Sequence, residues 1–333
     1  EKPFDYSLQS LRAFQNVGEG VFIDASEDIF DGHDPRVASV NEANSWSVAD
    51  FDGDGRQDLY IGDQGIDASP WGGAQNIMLI QSPEGKMVDE AAARIPAELG
   101  FTHDQSVGDI DGDGDIDILN GHAVAPNTPV NSTHFYINDG TGHFEKDTTR
   151  IPLTELIGLS EDQSIQTVEL VDLDADGDLD LILDSIVQED GRKNDEARIA
   201  INDGSGHFVF EPEETLPPRV GGRSGFTNVI TPIDANGDEF PDLIFHVEAS
   251  GPFRISNRVA YLINEGNLVF TDASERIPQI EMLPRAPFPA DLNGDGAVDL
   301  IATTKVYLNS GSGNFTDVSS VLPVASDFVN FTL

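Results

Sequence analysis

Apolar residues fall along this chain in short alternating runs, such as Ser45–Asp50 (SWSVAD), Asp58–Asp63 (DLYIGD), Asn76–Gln81 (NIMLIQ) and Lys86–Ala91 (KMVDEA). Alternation puts one face of each run toward a core and marks β-strands, and sustained helical periodicity is absent. The last two runs flank a turn carrying Gly85, which is how a β-hairpin is written. Similar Gly-turn hairpins recur at Ala13–Phe30, Leu79–Pro96, Tyr136–Pro152 (YINDGTGHFEKDTTRIP), Ala200–Pro212 (AINDGSGHFVFEP), Leu262–Pro278 and Tyr307–Pro323.

Between the first two runs lies an acidic nonapeptide. It recurs at Asp50–Asp58, Asp109–Asp117, Asp172–Asp180, Asp234–Asp242 and Asp291–Asp299, with starts 59, 63, 62 and 57 residues apart. Each period therefore predicts a strand, an acidic loop, a strand, a variable connection, a strand, a Gly turn and a strand. Such a unit is a four-stranded antiparallel sheet. Repeated sheets bury faces that none could bury alone, which points to a β-propeller.

The acidic nonapeptide followed by Leu or Ile, the spacing of about 60 residues and the NDGxGxF hairpin resemble the FG-GAP/VCBS repeats of integrin α-subunit-like propellers. The resemblance runs over nearly the whole chain. The expected fold is all-β, a single propeller domain over 1–333 with six four-stranded antiparallel blades, seven being the alternative. Repeat units are placed at about 44–102, 103–165, 166–228, 229–285 and 286–324. A closing blade joins 325–333 to 1–43, since sharing strands between the chain ends removes open sheet edges.

In 333 residues, 60 Asp and Glu against 18 Lys and Arg give a net charge of −42. Nucleic acid and anionic membrane surfaces are excluded as partners by repulsion, and cations are the natural counterparts. A hydrated surface suited to salty water accounts for part of this acidity. There is no cysteine, hence no disulfide. No apolar run reaches the roughly 18 residues of a membrane span. Glu1 in place of an initiating Met leads to the expectation of a processed or excised chain, with further domains or subunits as possible partners.

The clustered carboxylates have an evident use. Side-chain oxygens at loop positions 1, 3, 5 and 9, with a backbone carbonyl at position 7, suit a hard divalent cation taking six to eight oxygens, which is Ca²⁺. An EF-hand is excluded, because it needs a Glu at position 12, where this chain has Ile61, Asn120, Leu183, Phe245 and Ala302. The resemblance implies closure by the position-9 Asp instead. The implied ligands are Asp50, Asp52, Asp54 and Asp58; Asp109, Asp111, Asp113 and Asp117; Asp172, Asp174, Asp176 and Asp180; Asp234, Asn236, Asp238 and Asp242; and Asp291, Asn293, Asp295 and Asp299. Arg56, Asp115, Asp178, Phe240 and Ala297 would add carbonyls, and about five Ca²⁺ ions are expected as structural staples. Position 6 is Gly in four loops and Glu239 in the fourth. A left-handed conformation there costs a non-Gly residue about 1 kcal/mol, so the fourth loop is expected to bind most weakly.

Weak calcium sites need a calcium-rich medium, which places the chain outside the cell. The resemblance also implies ligand-binding loops opposite the acidic hairpins. These are the variable connections starting at Asp63, Gly121, Asp184 and His246. Candidate ligand residues there are Trp71, as a sugar platform, His122 and His246, and the basic residues Arg219, Arg223, Arg254 and Arg258. The last four belong to a group that also includes Arg192, Lys193 and Arg198. His33 and His103 are surface candidates, and His143 and His207 are matched repeat positions. Asn131, Asn314 and Asn330 fit the glycosylation pattern. A calcium-stabilised extracellular module that binds a glycan or protein, an adhesion function included, is the leading expectation. A lyase-like polysaccharide enzyme using His and Arg from those loops, or a structural subunit of an extracellular assembly, is the alternative.

Overall fold

The computed structural model describes residues 9–30, 39–40, 43–65, 73–122, 133–153, 164–187, 193–194, 197–217, 225–249, 258–278, 287–302 and 305–321. The fold is all-β, of four-stranded antiparallel blades of the β-propeller type. An N-terminal region holds β1 (Gln9–Ser10), the hairpin β2 (Phe14–Asn16) and β3 (Phe22–Asp24), a helical turn α1 (Ser26–Ile29) and β4 (Ser39–Val40), with β1 paired to β4. The first blade is β5 (Ala43–Ala49), β6 (Asp58–Asp63), β7 (Ile77–Gln81) and β8 (Met87–Asp89), followed by α2 (Ala91–Arg94). The second is β9 (Thr102–Gly108), β10 (Asp117–His122), β11 (His134–Asn138) and β12 (Phe144–Asp147).

In the third blade, β13 (Ser164–Val171), β14 (Asp180–Val187), β16 (Arg198–Asn202) and β17 (Phe208–Phe210) run in order, and the two-residue β15 (Lys193–Asn194) pairs with β14. The fourth is β18 (Gly225–Ile233), β19 (Asp242–Ala249), β20 (Arg258–Asn264) and β21 (Phe270–Asp272). The fifth is β22 (Phe288–Ala290), β23 (Asp299–Ala302), β24 (Lys305–Asn309) and β25 (Phe315–Asp317). Five four-stranded blades thus stand among the described residues. Of the expected sixth, the hairpin β2–β3 is present, while the closing segment 325–333 lies outside the described residues.

The chain divides into two compact units: Glu1–Val168 with Val187–Gly191 and Asp203–Phe208, and Glu169–Ile186 with Arg192–Asn202 and Val209–Leu333. In the first unit, Phe51, Tyr60, Met78, Ile80, Ile118, Tyr136 and Phe144 form a core shared by the first two blades. Phe30, Ile61, Ile77 and Leu79, with Leu11 and Ala13, join the N-terminal hairpin to the first blade. In the second unit, Leu173, Ile182, Phe245 and Leu262 belong to one core, and Ile244, Tyr261, Leu300, Tyr307 and Phe315 to another. Within each unit, successive blades thus share apolar faces.

Position 2 of the acidic loop is part of this packing. Phe51, Ile110, Leu173 and Ala235 are buried there, and Phe51 meets Phe144 edge to face at 6.1 Å. Four of the loops are therefore pinned by one apolar residue each, whereas Leu292 at position 2 of the fifth loop is exposed. On the N-terminal hairpin, Phe14, Phe22 and Ile23 are exposed, as are Trp46 and Val48 on β5. No helix among the described residues is long and apolar enough to cross a membrane.

Candidate metal centres

Each acidic loop joins the first two strands of its blade and wraps around its first Asp. Asp50 accepts the Asp54 and Gly55 N–H groups on different oxygens, at 3.1 and 2.8 Å. Asp109 does the same with Gly112 and Gly114, Asp172 with Asp176 and Gly177, and Asp291 with Gly294 and Gly296. Position 5 accepts the backbone N–H of position 7, as Asp113 does from Asp115 at 3.0 Å. The backbone must turn left-handed at positions 4 and 6 to aim these N–H groups inward. Two non-glycine residues take that conformation: Glu239 at φ 75°, as the sequence led one to expect, and Ala175 at φ 62°, at position 4 of the third loop, which the sequence reading passed over.

Position 9 has a second job. Asp58, Asp117, Asp180, Asp242 and Asp299 are buried at 0–1% exposure. One oxygen accepts the N–H of position 2 and the other the N–H that opens the Gly hairpin. For Asp117 these are Ile110 at 3.3 Å and Asn138 at 2.8 Å. Burial pushes the Asp117 carboxyl up to about 7, despite these two bonds, with the charges of Asp111 and Asp113 adding to the rise. Burial likewise raises Asp180 and Asp242 to about 6, and raises Asp58. Asn fails at positions 1 and 9 because an amide has a single acceptor oxygen and two N–H donors. It is tolerated at position 3, where Asn236 and Asn293 accept one N–H and donate to Asp238 and Asp295 at 2.8 Å.

Carboxylate oxygens from positions 1, 3 and 9 lie within 4.8 Å of one another in three loops: Asp50, Asp52 and Asp58; Asp109, Asp111 and Asp117; and Asp172, Asp174 and Asp180. Within two of these sets, Asp52 Oδ1 and Asp111 Oδ1 are buried with no hydrogen-bond partner. A buried carboxylate oxygen facing other carboxylates is costly unless a cation meets it. The donors are all oxygen, so the residues fit a hard cation of the Ca²⁺ type. In the fourth and fifth loops the Asn lowers the charge of the set. Arg56, expected to offer a carbonyl alone, also pairs through its guanidinium with Asp54 and donates to the Gln81 carbonyl at 2.8 Å.

The other candidates fall differently. Trp71, Arg219, Arg223, Arg254, Arg192, His33, Asn131 and Asn330 lie outside the described residues, as does the side chain of Arg258. His122 and His246, read as loop residues, are instead strand residues of β10 and β19 with 2% and 0% exposure. Those strands extend past the sequence boundary because both their faces are covered, so alternation gives no stop signal. His122 stacks on His134 with ring centroids 5.0 Å apart, and its ring lies against Gly100. Burial, then the charge of His134, holds it well below the usual histidine range.

Beside it, Glu98 gathers His134 Nε2 at 3.1 Å, Tyr136 at 2.6 Å and Lys146 at 2.6 Å. Burial alone would raise the Glu98 carboxyl, but these three bonds outweigh it and hold it low. The Tyr60 hydroxyl, Asn76, Thr102 and Asn120 form an adjoining hydrogen-bonded set across the first two blades. None of these polar groups besides His122 had been singled out from sequence, because their grouping depends on strand neighbours some 15 to 60 residues apart. His143 and His207 are matched and exposed, each beside a hydroxyl of its own turn. Arg198 lies over Phe210 at 5.6 Å, and Asn314 is exposed on its Gly turn.

No curated protein matches the chain. Among solved structures, a protein assigned as an exo-β-1,3-galactanase from Bifidobacterium bifidum s17 is similar at 14% identity and TM-score 0.42, over 80% of this chain and 82% of that one. A GH43 β-1,3-galactosidase with galactodeoxynojirimycin is similar at 10% identity and TM-score 0.42, over 72% and 79%. The V. cholerae biofilm matrix protein Bap1 is similar at 15% and TM-score 0.37, over 67% of this chain and 38% of its own. Likeness at that level bears on neither substrate nor partner. A family profile, the FG-GAP-like repeat, does match, over residues 109–183, the segment that holds the second and third acidic loops.

Proposed function

We propose that this chain is a calcium-stabilised extracellular binding module, with Ca²⁺ in the five acidic loops and a glycan or protein ligand at the connections on the far ends of the blades. The observation that supports it most is the repeated carboxylate set whose Asp52 and Asp111 oxygens are buried without a partner. The ion's part is structural: positions 1 and 9 already brace the loop to the blade, and Ca²⁺ offsets the charge that this bracing concentrates. Loops carried on a rigid scaffold are a frequent place for recognition, which favours the connections after β6, β10, β14 and β19.

The lyase alternative gains no support at His122. Among the described residues its charged surroundings are His134, Glu98 and Lys146, and it is buried, with burial holding it well below the usual histidine range. Metal analysis of the purified chain after dialysis against calcium, with thermal melts before and after chelation, tests the proposal. Calcium bound in multiple equivalents and a lower melting temperature after chelation are expected. A melt indifferent to calcium and chelator would overturn it. A glycan array probed with the calcium-loaded and calcium-stripped chain then tests the ligand class, and retention of glycan only by the loaded form is expected.

A further inference from the structure

Two arginines touch both an acidic loop and the following blade. Arg94, the last residue of α2, donates to Glu90 Oε2 at 2.5 Å, to the Thr141 carbonyl at 2.7 Å and to Asp52 Oδ2 at 3.3 Å. Arg150, after β12, donates to Asp147 Oδ2 at 3.2 Å and to the Ser205 carbonyl at 3.1 Å, and it pairs with Asp111 Oδ2 at 3.1 Å. The two constellations match atom for atom: an acid of the same blade, a turn carbonyl of the next hairpin, and the position-3 Asp of the metal loop. The turns are built for this approach. A Cβ on Gly142 would collide with the Arg94 guanidinium and one on Gly206 with that of Arg150.

In both loops the guanidinium holds Oδ2 of the position-3 Asp, while Oδ1 of the same carboxylate is the buried oxygen without a partner. We propose that Arg94 and Arg150 are positioning residues that carry metal occupancy of the first and second loops to the Gly turns of the next hairpins. The inference rests on the calcium reading above. Asp52 and Asp111 would hold the cation through the oxygen left without a partner, which would fix the carboxylate plane; Oδ2 then orients the guanidinium, and the guanidinium holds the turn carbonyl. Without the ion the carboxylate is free to rotate away, and the arginine keeps its own-blade acid alone as a charged anchor. At the matched position before the Leu-Pro or Ile-Pro step, the third blade has Thr215 and the fifth Val321, and the fourth has Arg276 but Asn236 at position 3 of its loop. The coupling is therefore specific to the first two loops.

Hydrogen exchange of the whole chain, with and without Ca²⁺, tests this. In the unaltered protein, calcium at 100 times its Kd is expected to slow exchange about 100-fold in residues 50–58 and also in the turn 139–143. Arg94→Gln is expected to keep the slowing at 50–58 and lose it at 139–143. Arg94→Lys is expected to recover part of it, because one ammonium cannot hold Asp52 and Thr141 with the same reach. Arg150→Gln is expected to act on the turn 203–207 and leave 139–143 as it was. Slowing at 139–143 that survives Arg94→Gln would overturn the inference and leave the calcium reading standing. No slowing at 50–58 in the unaltered protein would overturn both. Should Arg94→Gln fail to fold, Arg94→Lys and Arg150→Gln carry the same comparison.

Discussion

Replacing Asp117 by Asn separates the bracing role of position 9 from its proposed metal role. Asp117 is 1% exposed, and its two oxygens accept the Ile110 and Asn138 N–H groups. An amide presents one oxygen and an NH₂, so one of these buried N–H groups loses its acceptor and faces another donor. A buried donor left unpaired costs about 1–3 kcal/mol, and bonds to a charged acceptor stand at the upper end. A loss of about 2–4 kcal/mol is expected in the absence of metal. With an unfolding entropy near 2.1 cal/mol/K per residue, the 333-residue chain shifts by about 1.4 °C per kcal/mol when it melts as one, which gives about 3–6 °C. The assay is thermal and urea melting of calcium-stripped protein, with Asp174→Asn as the comparison. Asp174 at position 3 accepts one N–H, and the chain itself carries Asn at that place in two loops, so its loss is expected below about 1 kcal/mol. Equal losses for the two variants, or none for Asp117→Asn, would refute the bracket.

Calcium-stripped protein is expected to lose stability as pH rises from about 4 to 7. Asp117, Asp180 and Asp242 have folded-state carboxyls raised by burial, so the stability they add is full below the ordinary carboxylate value and is lost as pH passes the folded value. Asp104, raised to about 7 by burial, acts in the same direction. On the proposed function calcium takes the deprotonated loops, so the slope should reverse in its presence; urea midpoints at pH 5 and 7.5 with and without calcium check this. Each filled site at 100 times its Kd adds about 2.7 kcal/mol. At the unfolding entropy used above, that is about 4 °C per site in a calcium titration followed by melting. Glu239→Gly is expected to relieve about 1 kcal/mol of left-handed strain and to raise calcium affinity in the fourth loop, read by calorimetry; unchanged affinity and stability would remove strain as the cause of weak binding there.

The strands were legible because their alternation is bounded by loops with their own signature: Ile77–Gln81 and Met87–Asp89 fall inside runs recognisable by eye. The acidic loops were legible as oxygen-donor sets, and the left-handed turn at Glu239 as a departure from glycine. Ala175 escaped notice because Ala reads as neutral until φ is known. The bracing by Asp58 or Asp117 was hidden, since a proposed ligand role and a bracing role use the same residue type. Arg94 and Arg150 lie in the hairpin segments Leu79–Pro96 and Tyr136–Pro152 with no local sign of a role, because their partners Thr141 and Ser205 lie 47 and 55 residues on. His122 and His246 drew attention as loop residues, and burial on both strand faces gives them a different setting.

In the second, fourth and fifth blades the side-chain amide that opens the Gly turn reaches back to the position-2 carbonyl of the preceding loop: Asn138 to Phe51, Asn264 to Leu173 and Asn309 to Ala235, across 87, 91 and 74 residues. A newly made loop therefore waits for more than one further repeat to leave the ribosome before its backbone is latched, which slows folding and lengthens the exposure of its apolar anchor. Excising a single repeat at the boundary read from its sequence would cut this latch, so the smallest fragment that folds should begin one loop early and end one hairpin late.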